Sequence, residues 1–267
     1  MNEIPAPGRL SILGVHVSVL TMQRATATME QWIRKGERHY VCITGVHGVM
    51  ESQRDPELMA IHNAAGLVTP DGMPMVWMSH WLGQPEVERV YGPDLLQEMS
   101  RISAVQGYRN FFYGSRPETL GNLTAALTRR HPGLQIVGSF SPPFRPLTPE
   151  EDEAVIAQIN ASGAQIVWVG LSTPKQERWM ASHVHRLNAS VLVGVGAAFD
   201  FAAGEKQQAP RWMQRNGLEW VFRLATEPRR LAGRYFRNNP AFMLRASGQL
   251  LRHHWTSRMG RTNGMAP

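Results

Sequence analysis

Residues 66–73 read Gly-Leu-Val-Thr-Pro-Asp-Gly-Met, and the predicted fold is arranged around this stretch. The apolar run 66–68 predicts the end of a buried strand, which Pro70 stops, while Gly72 permits a tight turn. Asp71 therefore lies on a short loop between a strand and the apolar segment that starts at Met73. Open α/β sheets bind their ligands at such strand ends.

Two interpretations of Asp71 follow from this position. In the first, it is an ordinary turn or helix-capping residue. In the second, partial removal from water raises its pKa and makes it a usable general base. The stretch alone favours the first interpretation, so the second depends on the rest of the chain.

The chain outside this stretch alternates strands with helices of about 10–15 residues, the pattern of a parallel α/β sheet. One or two short strands are predicted between Arg9 and Val19. The later strands are predicted over 39–43, 66–69, 109–113, 134–138, 165–170 and 190–195. We therefore predict an α/β fold with a Rossmann-like, mostly parallel sheet and flanking helices, here residues 1–208.

A helical C-terminal appendage, residues 209–267, is predicted after the alternation ends, with helix breaks near Pro228 and Pro240. The net charge of the 267-residue chain is +7, yet residues 211–261 hold 11 arginines, no lysine and two acids. That segment carries +9 and the remainder −2. A basic tail of this kind indicates an anionic lipid surface, a nucleic acid or an acidic ligand.

The N-terminus and the cysteine content bear on location. The apolar stretch 10–20 is short and interrupted by His16 and Ser18, so a signal peptide or membrane span is not expected there. The single cysteine, Cys42, lies in an apolar run and has no partner for an intrachain disulfide. That usage fits a reducing compartment, with the thiol buried and inert.

Several small-residue loops fall at the predicted strand ends and open onto helices, as phosphate-binding loops do. They are 44–48, 70–72, 114–115, 170–177 and 194–200. A nicotinamide site is disfavoured because Phe199 stands where the dinucleotide fingerprint needs glycine. The chain also lacks a Walker A lysine, a Gly-x-Ser-x-Gly elbow and histidines grouped with metal-ligand spacing.

Two polar residues near these loops have open roles. Gln176, in the first turn of a predicted helix, either hydrogen-bonds a polar substrate or is solvated. Arg89, just before a helix start, either clamps a diphosphate or pairs with Glu86 or Glu88 on the surface. Spacing alone does not choose between these readings.

Taken in order, these motifs resemble those of the WecG/TagA/CpsF glycosyltransferases, glycosyltransferase family 26. The resemblance covers residues 10–245, and its many motifs in one order make it specific. The matching stretches are Thr44 onward, Asp55-Pro56-Glu57, 70–73, 88–95, 170–177, 194–204, 209–213, 217–220, 223–224, 227–230 and Asn239-Pro240.

The resemblance implies an inverting, metal-independent enzyme without a cofactor. It would move a sugar from a UDP-sugar donor to a polyprenyl-diphosphate-linked saccharide in bacterial exopolysaccharide or cell-surface polysaccharide biosynthesis. The implied place is the cytoplasmic face of the plasma membrane, with the chain bound peripherally. The donor sugar varies within the family and stays undetermined.

Residue roles carry over from the same resemblance. Asp71 corresponds to the proposed general base. Thr44, Arg89 and Gln176 correspond to substrate-binding residues of the family. We also predict substrate-binding roles for His47, Arg223 and Arg230. One departure is Val46, where many members have asparagine, and whether His47 replaces that asparagine is open.

The basic tail interleaves its arginines with aromatic residues, as amphipathic helices on anionic membranes do. Packing against the body or a homo-oligomer interface is the alternative role for those apolar residues. A non-enzymatic module that binds anionic lipid or nucleic acid is the alternative function, although no nucleic-acid motif is present and no nucleic-acid partner is expected.

Overall fold

The computed structural model describes residues 3–262, and its central sheet there has six strands, all parallel. A two-stranded antiparallel hairpin, β1 (Arg9–Ile12) and β2 (Val15–Ser18), precedes it. The sheet strands are β3 (His39–Thr44), β4 (Leu67–Pro70), β5 (Arg109–Gly114), β6 (Gln135–Phe140), β7 (Ile166–Gly170) and β8 (Val191–Gly194). Their order is β4-β3-β8-β7-β5-β6. The predicted α/β class with a Rossmann-like parallel sheet is confirmed.

Helices cover both faces of the sheet. Those of the body are α1 (Met22–Lys35), α2 (Val46–Ser52), α3 (Pro56–Ala64), α4 (Met73–Trp81), α5 (Gly92–Gln106), α6 (Pro117–Arg130), α7 (Pro149–Ser162), α8 (Lys175–His183) and α9 (Ala198–Ala202). The appendage adds α10 (Arg211–Arg215), α11 (Glu219–Thr226) and α12 (Pro228–Thr262). The predicted appendage extends to residue 267, and 263–267 lie outside the described residues.

The strands are apolar on both sides because helices bury each face. Side chains alternate: Val167 and Val169 point into one core layer, and Ile166 and Trp168 into the other. Trp168 is fully buried, and its indole N–H donates to Asn110 Oδ1 at 2.9 Å. That bond satisfies the polar atom of the largest core side chain.

Side chains cap two of the helix starts. Thr148 and Glu151 form a reciprocal capping box at the start of α7. At the start of α3, the Asp55 carboxylate accepts from the Leu58 N–H at 3.0 Å, with Pro56 in the first turn. These caps satisfy main-chain donors that a helix start leaves unpaired.

Two local predictions are wrong. Residues 46–48 form the start of α2 rather than a loop. Gly48 lies inside that helix. A Cβ there would lie 3.0 Å from Thr44 Cγ2, so the glycine allows close packing rather than forming a turn. Pro240 does not break the tail, since α12 continues through it. Burial of the neighbouring Asn238 and Phe242 against the body holds the helix on both sides of the proline.

Candidate active site

A cavity of about 600 Å³ lies at the carboxyl ends of the strands. Its floor comes from the loops that follow four adjacent strands, β4, β3, β8 and β7. Helices α10, α11 and α12 supply the opposite wall. Ser115, in the loop after β5, does not line the cavity, so that predicted ligand loop lies apart from it. The cavity therefore joins the body and the appendage.

Backbone contacts fix Asp71 at the floor of this cavity. Its N–H donates to the carbonyl of Thr44 at 3.0 Å, and the N–H of Val90 donates to the carbonyl of Pro70 at 3.0 Å. Gly72 follows with a φ of +86°, a value that other residues adopt only with strain. Strand β4, its neighbour β3 and the turn at Gly72 together determine where the Asp71 carboxylate points.

Gly45 allows the Asp71 loop to approach β3 closely. A Cβ at Gly45 would lie 2.8 Å from the carbonyl oxygen of Asp71, a main-chain atom that cannot move aside alone. The φ of Gly45 is −106°, so the requirement is for space and not for an unusual backbone conformation.

Gly45→Ala is therefore expected to displace the Asp71 loop, lowering the free energy of unfolding by roughly 1–3 kcal/mol. Sugar transfer should fall with it. The matched control is Gly121→Ala on the exposed face of α6, where nothing lies within 4 Å of the new Cβ. That change should stabilise by about 0.5–1 kcal/mol. Urea unfolding measures both, and an unchanged Gly45→Ala midpoint would contradict the tight approach.

The Asp71 carboxylate has fewer hydrogen-bond and ion-pair partners than Glu219, the other acid that lines the cavity. Its one ion pair joins Oδ1 to Arg89 Nη2 at 3.6 Å. Although 32% of its side chain is reached by water through the cavity mouth, protein surrounds the rest. Burial raises its pKa to about 6, against the opposing effect of Arg89. A carboxylate with such a pKa is well suited to accept a proton near neutral pH.

Arg89 does not pair with Glu86 or Glu88 as the surface alternative supposed. Its guanidinium contacts Glu219 and lies beside Asp71, and its centre is 4.0 Å from the ring centroid of Tyr91. The Tyr91 hydroxyl donates to the second oxygen of Glu219 at 3.1 Å. Glu219 is thus held on both oxygens, whereas Asp71 is not.

Arg223 and Arg234 bring unpaired positive charge to the appendage wall. Both line the cavity, and within the described chain neither forms an ion pair with a carboxylate. The Nε of each is buried and has no hydrogen-bond partner among those residues. Burial lowers the pKa of Arg234. Against the opposing effect of burial, nearby Tyr235, Glu219 and Asp71 raise the pKa of Arg223. Half-buried arginines that form no ion pair are suited to an anionic ligand.

Arg230 and His47 stand at the same wall with different partners. Arg230 lines the cavity but its Nε pairs with Glu227 at 2.7 Å. Burial lowers the pKa of His47 to about 4, and Arg234 lowers it further. A neutral His47 accepts at Nδ1 from the Asn238 side-chain amide at 3.1 Å, which leaves its other ring nitrogen as a donor.

Gln176 lines the cavity and Thr44 does not. Gln176 is 3% exposed, so the alternative in which it is solvated is wrong. Thr44 is buried behind the floor, where its hydroxyl has no partner within the described part of the chain. The structure thus groups six of the seven predicted site residues, and Thr44 acts there through its main-chain carbonyl.

Sequence reasoning did not single out Glu219, Tyr91 and Arg234 as site residues. Glu219 and Tyr91 were inside quoted motifs, but only the folded chain places them beside Arg89. Arg234 was one of many tail arginines, and its distinguishing property is burial. No signal in the sequence separates a buried arginine from an exposed one on the same helix.

Two further properties concern metals and membranes. In the described residues, no three His, Cys, Asp or Glu side chains are arranged to hold a metal ion. Nor does any helix of that part have the length and apolar character needed to cross a bilayer. Metal independence and membrane association stay predictions.

Comparison with known protein families gives one result. The model of the glycosyl transferase WecG/TagA/CpsF family matches residues 10–256. The match includes every strand of the sheet, the cavity floor and most of the appendage wall. The chain therefore belongs to the WecG/TagA/CpsF family of glycosyltransferases.

Proposed function

We propose that the protein is an inverting glycosyltransferase that uses a UDP-sugar and a polyprenyl-diphosphate-linked saccharide. The observation that carries this proposal is the cavity's division of charge. The floor holds a carboxylate with a free oxygen, Asp71. The opposite wall holds two half-buried arginines, Arg223 and Arg234, that form no ion pair within the described chain, and its one acid, Glu219, already contacts Arg89 and Tyr91. The product would be an intermediate of bacterial exopolysaccharide or another cell-surface polysaccharide.

The reaction needs one base and one site for negative charge. The acceptor hydroxyl attacks the anomeric carbon of the donor sugar as its proton passes to Asp71. The bond between the anomeric carbon and the diphosphate oxygen breaks, and UDP leaves with the electron pair. Arg223 and Arg234 stabilise the charge that develops on the diphosphate. Attack from the face opposite the leaving group inverts the anomeric centre.

Arg89 is better suited to holding Asp71 than to binding the diphosphate. Its guanidinium already contacts Glu219 and lies 3.6 Å from Asp71. An arginine that is paired with two acids has little net charge left for a phosphate. We therefore assign the diphosphate contact to Arg223 and Arg234, with Arg230 at the rim and His47 as a neutral hydrogen-bond donor.

The appendage offers a surface for the lipid that carries the acceptor. Five large apolar side chains on α12 are at least 67% exposed, and helical geometry places them on one face. We name this the α12 stripe: Phe236, Met243, Leu244, Leu251 and Trp255. Exposed apolar residues on a basic helix suit a peripheral site on an anionic membrane, here the inner face of the plasma membrane.

Changing Leu244, Leu251 and Trp255 together to serine is expected to reduce binding to anionic vesicles at least about tenfold, because each loses buried apolar area. None of the three lines the cavity, so affinity for UDP should stay unchanged. Flotation with phosphatidylglycerol vesicles measures the effect. The control is Phe144→Ser, an aromatic that is 97% exposed on the body.

The same assay tests the alternative function. Unchanged vesicle binding in the triple variant would exclude the α12 stripe as the membrane surface. Duplex DNA binding that weakens steeply with salt, together with no UDP affinity, would favour a nucleic-acid module.

The experiment that decides the proposed function is a calorimetric screen of UDP-sugars with EDTA present. We expect at least one to bind with a dissociation constant between about 1 μM and 1 mM, in the range of ordinary substrates. The best ligand is then tested for transfer to a polyprenyl-diphosphate-linked saccharide in vesicles. Binding of no UDP-sugar would overturn the proposal, and transfer only after adding a divalent cation would overturn metal independence.

A further inference from the structure

Gln176 presents an unusual buried atom to the cavity. Its side chain is 3% exposed and lies in the first turn of α8. The amide nitrogen donates to Glu177 Oε1 at 3.1 Å. The amide oxygen is buried and has no hydrogen-bond partner among the described residues. Buried acceptors are nearly always satisfied in folded proteins, so this one indicates a bound group.

Glu177 determines which end of the Gln176 amide faces the cavity. The Glu177 side chain is fully buried, and its Oε1 also accepts from the Thr173 hydroxyl at 2.8 Å. Because Oε1 accepts the Thr173 hydroxyl proton, it is an acceptor toward Gln176 as well. Rotating the amide by 180° would bring two acceptor oxygens together, so the nitrogen must face Glu177 and the oxygen must face away.

Two glycines provide the space beside this oxygen. A Cβ at Gly196 would lie 3.5 Å from Gln176 Oε1, and a Cβ at Gly194 would lie 3.1 Å from the amide carbon and nitrogen. Both glycines line the cavity, as does Ser172. The free oxygen therefore borders the floor formed by the loops after β7 and β8.

We propose that Glu177 is a positioning residue that makes Gln176 a hydrogen-bond acceptor toward the ligand. The group that binds against Gly196 is then a donor, a hydroxyl or an N–H, and not a carboxylate or phosphate oxygen. This inference rests on the proposed function, in which the ligand is a UDP-sugar. Three parts of that ligand carry such donors: the transferred sugar, the ribose hydroxyls and the uracil N3–H.

Calorimetry with modified nucleotides separates the three sources. The probes are UDP, N3-methyl-UDP, the tightest-binding UDP-sugar, and its analogues in which fluorine replaces one hydroxyl at a time or an ester replaces an acetamido N–H. For the wild-type protein, one modification is expected to weaken binding about tenfold, the effect of one lost hydrogen bond. N3-methyl-UDP would identify the base, a fluorine on the ribose would identify the ribose, and an analogue modified on the hexose would identify the transferred sugar.

Glu177→Gln tests the positioning role. A glutamine at 177 can offer either end of its amide, so Gln176 can turn its nitrogen toward the ligand. The loss of affinity that the identified modification causes should then shrink from about tenfold to below about threefold. Thr173→Val is the matched control, since it removes the other donor to Oε1 but keeps the carboxylate, and the penalty should persist. A Glu177→Gln protein that keeps the full penalty would overturn the role of Glu177.

A second measurement on the wild-type protein covers the case in which Glu177→Gln does not fold. The NMR signal of the Gln176 side-chain amide, assigned by its loss in Gln176→Ala, should be protected from solvent exchange without ligand. Rapid exchange of those protons would overturn the inference. If UDP binds but no modification weakens binding, the inference fails and the proposed function stands. If no nucleotide binds, both fail.

Discussion

Asp71→Asn is expected to lower the rate of sugar transfer by roughly 10²–10⁴-fold while the fold is kept. The amide has nearly the shape of the carboxylate but cannot take the acceptor proton. Glu219 is the other acid that lines the cavity, and Arg89 and Tyr91 contact both its oxygens. Asp71 has one ion pair, at 3.6 Å, and is free to act.

Stability and pH provide an independent check on Asp71. Burial raises its pKa to about 6 in the folded protein, from an ordinary value of 3.8. The folded state therefore binds more protons than the unfolded state between these values, and ionising Asp71 weakens the fold as pH rises through that window. Above pH 6 the full loss of stability caused by ionised Asp71 is present. Asp71→Asn removes it, so its melting temperature at pH 8 should equal or exceed that of the wild type.

Calorimetric melting at pH 4 and pH 8, with a pH profile of kcat/KM, tests these expectations. The wild-type kcat/KM should rise as the pH increases through about 6, because Asp71 ionises with a pKa of about 6 in its folded environment. Glu98→Gln, an acid on the surface of α5, is the control and should leave activity unchanged. Near wild-type transfer by Asp71→Asn, or a greater loss in Glu219→Gln, would remove Asp71 as the base.

Changing Arg223 and Arg234 together to glutamine is expected to weaken UDP binding by roughly 10–100-fold or more, since hydrogen bonds to charged groups contribute about 1.5–3 kcal/mol each. Both side chains line the cavity and have no carboxylate partner within the described chain. The effects on thermal stability should oppose each other, because burial lowers the pKa of Arg234, whereas Tyr235 and the nearby acids raise the pKa of Arg223 against the effect of burial.

Arg229→Gln is a control on α12, the helix that also carries Arg234, and it removes one charge where the double variant removes two. Arg229 is exposed and does not line the cavity, so its loss should leave UDP affinity within about twofold. Calorimetry at low and high salt distinguishes direct contacts to the nucleotide from the long-range electrostatic field of the tail, because salt screens that field. Equal loss of affinity in the control and the double variant would show that overall tail charge, rather than these two side chains, attracts the nucleotide.

The fold was predictable because local signals and the global arrangement agree. Apolar runs such as 166–169, bounded by turn residues, can only be buried strands between helices. The misplaced elements have a common cause. Gly48 and Pro240 are ordinarily helix-disfavouring, and tertiary packing overrides that preference in α2 and α12.

The site was predictable in outline but not in its pairings. The strand-end rule and the motif resemblance pointed to Asp71, Arg89 and Gln176, and the structure brings these side chains to one cavity. The partner of Arg89 was not predictable, because Glu219 is 130 residues away in the chain. Spacing along a sequence carries no information about which distant charges meet.

The sequence by itself determined the α/β class, the strand-end position of Asp71 and the basic character of the tail, because these depend on local periodicity, turn chemistry and composition. Only the tertiary structure decided that the tail forms a wall of the cavity. It also decided which arginines are buried without a partner and which end of the Gln176 amide faces the ligand. The wall and the arginine environments arise from contacts between distant segments, and the Gln176 orientation arises because the fold buries Glu177 beside it.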